Sequence, residues 1–183
     1  PEEWIRKNNN VNSYHDHPVT RCSLAVQYGF NYIINNYKDV FLFLIDSDMF
    51  FIDYFNINDY MRNYDLYGIS QSRNVVFYLW NGLFICDLNK CKNLQEFNWE
   101  AGNIFKLDKN NNKTNEGFGC DVGGHNYYYL KKYGYLDENK DKLKKDGSMH
   151  IGLIDSIWLT GENGVNYVDE KLKEFIKKFC YLK

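Results

Sequence analysis

The chain has only two prolines, no Cys-x-x-Cys pair and no strong charge of either sign. With 22 basic and 24 acidic residues the net charge is −2, so no basic face is implied and nucleic acid is not the expected partner. No apolar run approaches the length of a membrane span, and no signal peptide opens the sequence. The cysteines Cys22, Cys86, Cys91, Cys120 and Cys180 are odd in number, which argues against a disulfide framework. They read as reduced thiols, and the expected compartment is cytoplasmic. Because the first residue is Pro rather than Met, an upstream segment is also expected.

What is present is aromatic. Sixteen Tyr and 13 Phe bring the aromatic share to 18%, which excludes a disordered chain. At 183 residues the chain can bury roughly 70% of its unfolded surface without staples. There is no internal repeat or linker, so residues 1–183 are read as a single α/β domain.

Apolar spacing predicts a helix from Thr20 to about Tyr37. The run Val40 to Ile45 has six apolar residues without alternation. It is expected as a central strand of a mixed, mainly parallel sheet, buried on both faces. Finding Phe41 to Ile45 in a helix, or on an exposed edge, would overturn the whole reading. Short strands are expected at 66–71, 75–80 and 83–86, the last opened by Asn81-Gly82. Residues 105–119 read as a polar loop, Asn126 to Tyr133 as a Tyr-rich helix, and Asp169 to Phe179 as a closing amphipathic helix.

The chemistry centres on Asp46 and Asp48, at the carboxyl end of the apolar strand. Side chains two apart on a strand point the same way, so both carboxylates face one site. Ligands of open α/β sheets bind beyond the strand ends. Two carboxylates there suit a hard cation, Mn²⁺ or Mg²⁺, that also holds a diphosphate. Asp-x-Asp also occurs in ordinary turns and caps. Asp121 could take a proton from an attacking hydroxyl, or it could cap the helix that follows. Gly123 and Gly124 would let a substrate approach the backbone closely. Asn81-Gly82 reads either as a turn or as an amide that binds sugar hydroxyls. Arg73 could grip phosphate oxygens or sit in a surface ion pair. His15 and His17 flank Asp16, and His125 follows the glycines. Tyr78, Trp80, Trp99 and Tyr127 to Tyr129 could stack on sugars, although most should be core.

The segment FLFLIDSDMFF, residues 41–51, resembles the strand and DxD motif of GT-A glycosyltransferases. WNGLFICDL, residues 80–88, is similar to the Asn-x-Gly-plus-strand segment of family-eight-like members. CDVGGH carries Asp121 where that group has an Asp beside its reaction centre, and MHIG carries His150 where its late His stands. NWEAGNIF and DVGGHNYYYLKK look closest to glycosyltransferase-like proteins of large DNA viruses. The resemblance spans roughly residues 20–180.

It implies a GT-A-like fold and a metal-dependent hexosyltransferase. The donor would be a nucleoside diphosphate sugar, a UDP-sugar foremost, and the acceptor a glycan or protein hydroxyl. It implies Asp46, Asp48 and His150 as metal ligands and Asp121 and Asn81 as catalytic residues. Asp46, Arg73, Gly82, Gly123 and Gly124 would bind the donor. Only 40-odd residues precede the DxD strand, room for one helix, so the N-terminal nucleotide-binding half is abbreviated or the chain is a fragment. Nothing after Gly152 matches the Lys-Pro-Trp of the family-eight group. The alternative is a degenerate, non-catalytic fold that binds a glycan or a protein. A two-metal nucleotidyl-transfer enzyme would want more carboxylates and a basic track.

Overall fold

The computed structural model describes residues 18–46, 49–51, 55–73, 76–136, 151–153 and 158–160, together with Glu170 and Glu174, both helical. Helix α1 (Pro18–Asn36) opens on a proline, whose fixed φ suits a first helical turn. Strands β1 (Phe41–Ile45) and β2 (Met49–Phe51) follow, then the short helix α2 (Ile57–Met61), capped by the Asn56 side chain accepting from the Asn58 N–H. A hairpin of β3 (Leu66–Arg73) and β4 (Val76–Asp87) comes next. After a 3-10 turn at Leu94–Glu96 come β5 (Gly102–Leu107), β6 (Lys113–Cys120) and helix α3 (Asn126–Lys132). Strands β7 (Ile151–Leu153) and β8 (Trp158–Thr160) are short. No helix among the described residues is long and apolar enough to cross a membrane.

The main sheet runs β1-β4-β3-β7. Its β1–β4 and β3–β4 pairs are antiparallel, and only β3–β7 is parallel. This corrects the expectation of a mainly parallel sheet with residues 40–45 at its centre. Among the described strands β1 lies at the edge of the sheet, and Phe43 and Ile45 are 36% and 37% exposed. The reason lies in what an apolar run reports. Leu42 and Leu44 point into the core on the α1 side, while Phe41 and Phe43 point to the α2 side, where Phe43 lies 5.6 Å from Phe55. Apolarity on both faces records layers above and below a strand. It carries no information about the strands beside it.

Those layers are present. On one face Phe30 of α1, Phe84 of β4, Phe97 and Trp99 form an aromatic cluster, with ring centroids 5.0–6.3 Å apart. Tyr127, Tyr129 and Leu130 of α3 complete this core. On the other face Met61 of α2 covers Leu83 and Ile85. The arrangement is α/β, with helices on both faces of a small sheet.

Two stretches differ from the sequence expectation. Residues 105–119 do not form a loop but most of the β5–β6 hairpin. Its tip is closed by Asp108, whose Oδ1 accepts from the Asn110 and Asn112 N–H groups, with Asn111 in the left-handed region. The Tyr-rich helix anchors the hairpin: the Tyr128 hydroxyl accepts from the Phe105 N–H and the Tyr127 hydroxyl from the Leu107 N–H. The segments 75–80 and 83–86 are one strand, β4. Four of its residues, 80–83, stand opposite Ile69 alone, between the pairs Ser70–Leu79 and Gly68–Phe84. That bulge positions the site described next. The closing helix expected at 169–179 falls largely outside the described residues.

Candidate functional site

Asp46 directly follows β1, and its N–H extends the ladder by donating to the Gly82 carbonyl at 2.9 Å. Strand alternation places Asp46 on the face of Leu42 and Leu44, toward α1. The bulge at 80–83 swings Asn81 toward the same face, as bulges near sites commonly do. Asn81 is 5% exposed, and its Nδ2 donates to the Cys22 Sγ of α1 at 4.0 Å. Its Oδ1 accepts no hydrogen bond among the described residues. Gly82 is required inside this bulge, because a Cβ there would lie 2.0 Å from the Trp80 ring.

Asp121 follows β6. Its backbone N–H donates to the Tyr78 hydroxyl at 3.3 Å, its carbonyl accepts from Gly124, and its Oδ1 accepts from the Val122 N–H at 2.8 Å. Among the described residues Oδ2 accepts no hydrogen bond. Asp121 is not the cap of the following helix, because α3 begins at Asn126 with His125 at the N-cap position. The helix-cap alternative therefore falls away: the residue is held at three points, two on its backbone and one on its carboxylate, from the Val122 N–H.

Cys22 ties these residues together. Cys22 is exposed on α1, yet partial desolvation first, then Asp46 and Asp121, push its thiol up from the ordinary cysteine range. Both carboxylates therefore lie near one sulfur, which also touches Asn81. Asp46, Asn81 and Asp121, from separate stretches of chain, are thus each within contact or electrostatic reach of this one side chain. Cys22 itself was not foreseen, since a cysteine inside an amphipathic helix gives no signal of what it faces.

Arg73, at the exposed end of β3, lies near the Tyr78 hydroxyl and forms no ion pair among the described residues. It lies close enough to Cys120 to draw that thiol down, but burial foremost, helped by Asp121, pushes Cys120 up to about 11. Arg73 and Asp121 thus both act on the same thiol.

The paired glycines need a different account. Gly123 has φ +92°, and a Cβ there would lie 2.3 Å from the Leu79 carbonyl oxygen. A Cβ on Gly124 would meet the Cys120 Cβ at the same distance. Both are buried, and the space beside each is filled by protein rather than left for a substrate. Beside them Asn126, fully buried, accepts from the Leu79 N–H at 3.0 Å and donates to the Leu79 carbonyl at 2.7 Å. Its amide acts as a one-residue substitute for a neighbouring strand. Packing thus accounts for both glycines without a donor contact. Tyr78, Trp99, Tyr127 and Tyr129 are likewise core, not stacking surfaces. His125 is held between Glu100 (Nδ1–Oε2 3.5 Å) and the Tyr128 ring.

Asp48 and His150, the other expected metal ligands, lie outside the described residues, as do His15, Asp16 and His17. Ile151, next to His150, pairs with Leu66 in the row of Cys86 and Leu42. Asp46 is four residues further along and three strands across, so the Cα atoms of Ile151 and Asp46 are roughly 20 Å apart by strand rise and spacing. A metal shared by His150 and Asp46 gains no support from that placement. Among the described residues no three His, Cys, Asp or Glu side chains gather as a metal site would need. Comparison with protein families, curated proteins and solved structures finds no match for this chain.

Proposed function

We propose that this chain is a glycosyltransferase that moves a sugar from a nucleoside diphosphate sugar to a glycan or protein hydroxyl. The observation that carries the reading is the meeting of Asp46, Asn81 and Asp121 around Cys22. Asp121 is the proton acceptor. The acceptor hydroxyl oxygen bonds to the anomeric carbon, and the bond from that carbon to the diphosphate breaks. Its electron pair leaves with the diphosphate, and the hydroxyl proton passes to the Asp121 carboxylate. In a retaining enzyme the same carboxylate would instead orient the acceptor or stabilise the oxocarbenium-like state. Asn81, whose carbonyl oxygen accepts no hydrogen bond among the described residues, receives a sugar hydroxyl, and Arg73 meets phosphate oxygens.

A divalent cation would neutralise the charge that builds on the departing diphosphate. Asp46, at the strand end, offers one hard oxygen ligand to Mn²⁺ or Mg²⁺, and the sequence supplies Asp48 beside it. One described carboxylate fits such an ion without defining its geometry.

The test compares Asp121→Asn with the parent in a nucleotide-sugar transfer assay. Asn retains the acceptor for the Val122 N–H, and the α3 cap is elsewhere, so the fold should persist. Turnover is expected to fall by roughly 10²-fold or more while donor affinity survives. Donor binding should need Mn²⁺ or Mg²⁺ and disappear with EDTA. Equal turnover in the mutant would remove Asp121 from the chemistry. The edge position of β1 favours a second reading, a non-catalytic module that binds glycan or protein, since it leaves the sheet narrow where a nucleotide base would sit. Metal-independent glycan binding, with no donor consumed by the parent protein, would establish that reading instead.

A further inference from the structure

Tyr78 occupies an unusual place for a core residue. It is fully buried on β4, yet its hydroxyl lies where three chain segments meet. It donates to the Gln71 Oε1 at 2.7 Å across the β3–β4 hairpin and accepts from the Asp121 N–H at 3.3 Å. The Arg73 guanidinium lies near enough to the same oxygen to favour its ionised form, against the raising effect of burial. A phenol has one proton to give and two lone pairs to receive; the proton goes to Gln71 and one lone pair to the Asp121 N–H. The remaining ties on Asp121 are local: its carbonyl to Gly124 and its Oδ1 to Val122. The hydroxyl of Tyr78 is therefore the tie that fixes Asp121 to the main sheet rather than to its own loop.

We propose that Tyr78 is a positioning residue, whose hydroxyl holds Asp121 in the cleft where Asp46 and Asn81 converge. The catalytic consequence rests on the transferase reading above, but the mechanical one does not. Asp121 lies between the β5–β6 hairpin, which α3 anchors, and a packed glycine pair, so the phenol is the direct tie of its own N–H to β4. Without the phenol oxygen, its N–H loses its acceptor, and Gln71 loses its donor.

Tyr78→Phe in the full chain, followed by amide hydrogen exchange and by transfer kinetics, tests this. Exchange at the Asp121 amide should accelerate at least about tenfold, the size of one lost hydrogen bond. The Leu79 amide, held by Asn126, should be unchanged, whereas general loosening of the core would speed both. Turnover should fall about tenfold with donor KM within about twofold, because the donor is not what moves. An unchanged Asp121 amide, or equal acceleration at Leu79, overturns the proposal. If Tyr78→Phe does not fold, Gln71→Met removes the hydroxyl's acceptor and leaves the ring. It should show the same selective pattern at smaller size, and its absence there also overturns the proposal. A selectively faster Asp121 amide in a protein whose parent transfers no sugar would keep the hold of Tyr78 on Asp121 and remove the transferase reading alone.

Discussion

Gly123→Ala and Gly134→Ala form a matched pair that separates backbone strain from collision. Both residues have left-handed φ, +92° and +76°. A Cβ on Gly134 meets nothing within 4 Å, so the alanine there costs only the conformational penalty, roughly 1–2 kcal/mol. A Cβ on Gly123 would lie 2.3 Å from the Leu79 carbonyl oxygen and 3.1 Å from the Asn126 Nδ2. Those two atoms share a buried 2.7 Å hydrogen bond, so relieving the clash strains or breaks it, at about 1–3 kcal/mol more. The Trp99 ring, 3.3 Å from the same point, prevents a shift the other way. The total for Gly123→Ala is roughly 2–5 kcal/mol, a large part of the 5–15 kcal/mol typical of a domain. In urea unfolding, with m of about 1–3 kcal/mol/M, its midpoint should fall by about 1 M or more, and further than that of Gly134→Ala. Equal midpoints for the two variants would refute the packing account of Gly123 and restore it as a position kept open for a ligand.

The Cys22 thiol, though exposed on α1, is held up by partial desolvation, Asp46 and Asp121, so alkylation by iodoacetamide at neutral pH should be slow and should quicken in Asp46→Asn or Asp121→Asn. A rate indifferent to both substitutions would separate the carboxylates that the site brings together. Burial foremost lowers the His125 pKa, against a raising contribution from Glu100. The unfolded chain then binds the proton more readily, so the His125 contribution to stability is present above its ordinary pKa of 6.5 and is lost as pH falls through the lowered folded value. Thermal unfolding between pH 7 and 5 should show that loss, and His125→Asn should flatten it.

The sequence made some of this legible for physical reasons. Helical spacing located α1 within two residues, and the Tyr-rich run marked α3. Asp46 could be named because it ends an apolar strand, Asn81 because with Gly82 it opens one, and Asp121 because it precedes a glycine pair. A shared cleft for Asp121, Asn81 and the aspartate pair was implied only by the family resemblance; the residues alone do not show it, because it depends on the β4 bulge, and Trp80-Asn81-Gly82-Leu83 looks like a break between two strands. The β5–β6 hairpin was hidden for another reason. Most of β6 is exposed, so residues such as Lys113, Asn115 and Glu116 carry no apolar alternation. Its strand character comes from pairing and from two tyrosine hydroxyls on a helix that is later in the chain.

The bulge also predicts where the gene tolerates changes of length. Turns usually accept insertions and deletions, and the exposed Asp108–Asn112 tip should do so. Residues 80–83 look equally loop-like in sequence, yet they act as a fixed phase shift between two halves of one strand. Losing a single residue there would draw Phe84 and Cys86 back by one step, turning them from the aromatic core toward Met61 and sending Leu83 and Ile85 the other way. A library of one-codon deletions should therefore yield folded protein at the hairpin tip and none at the bulge.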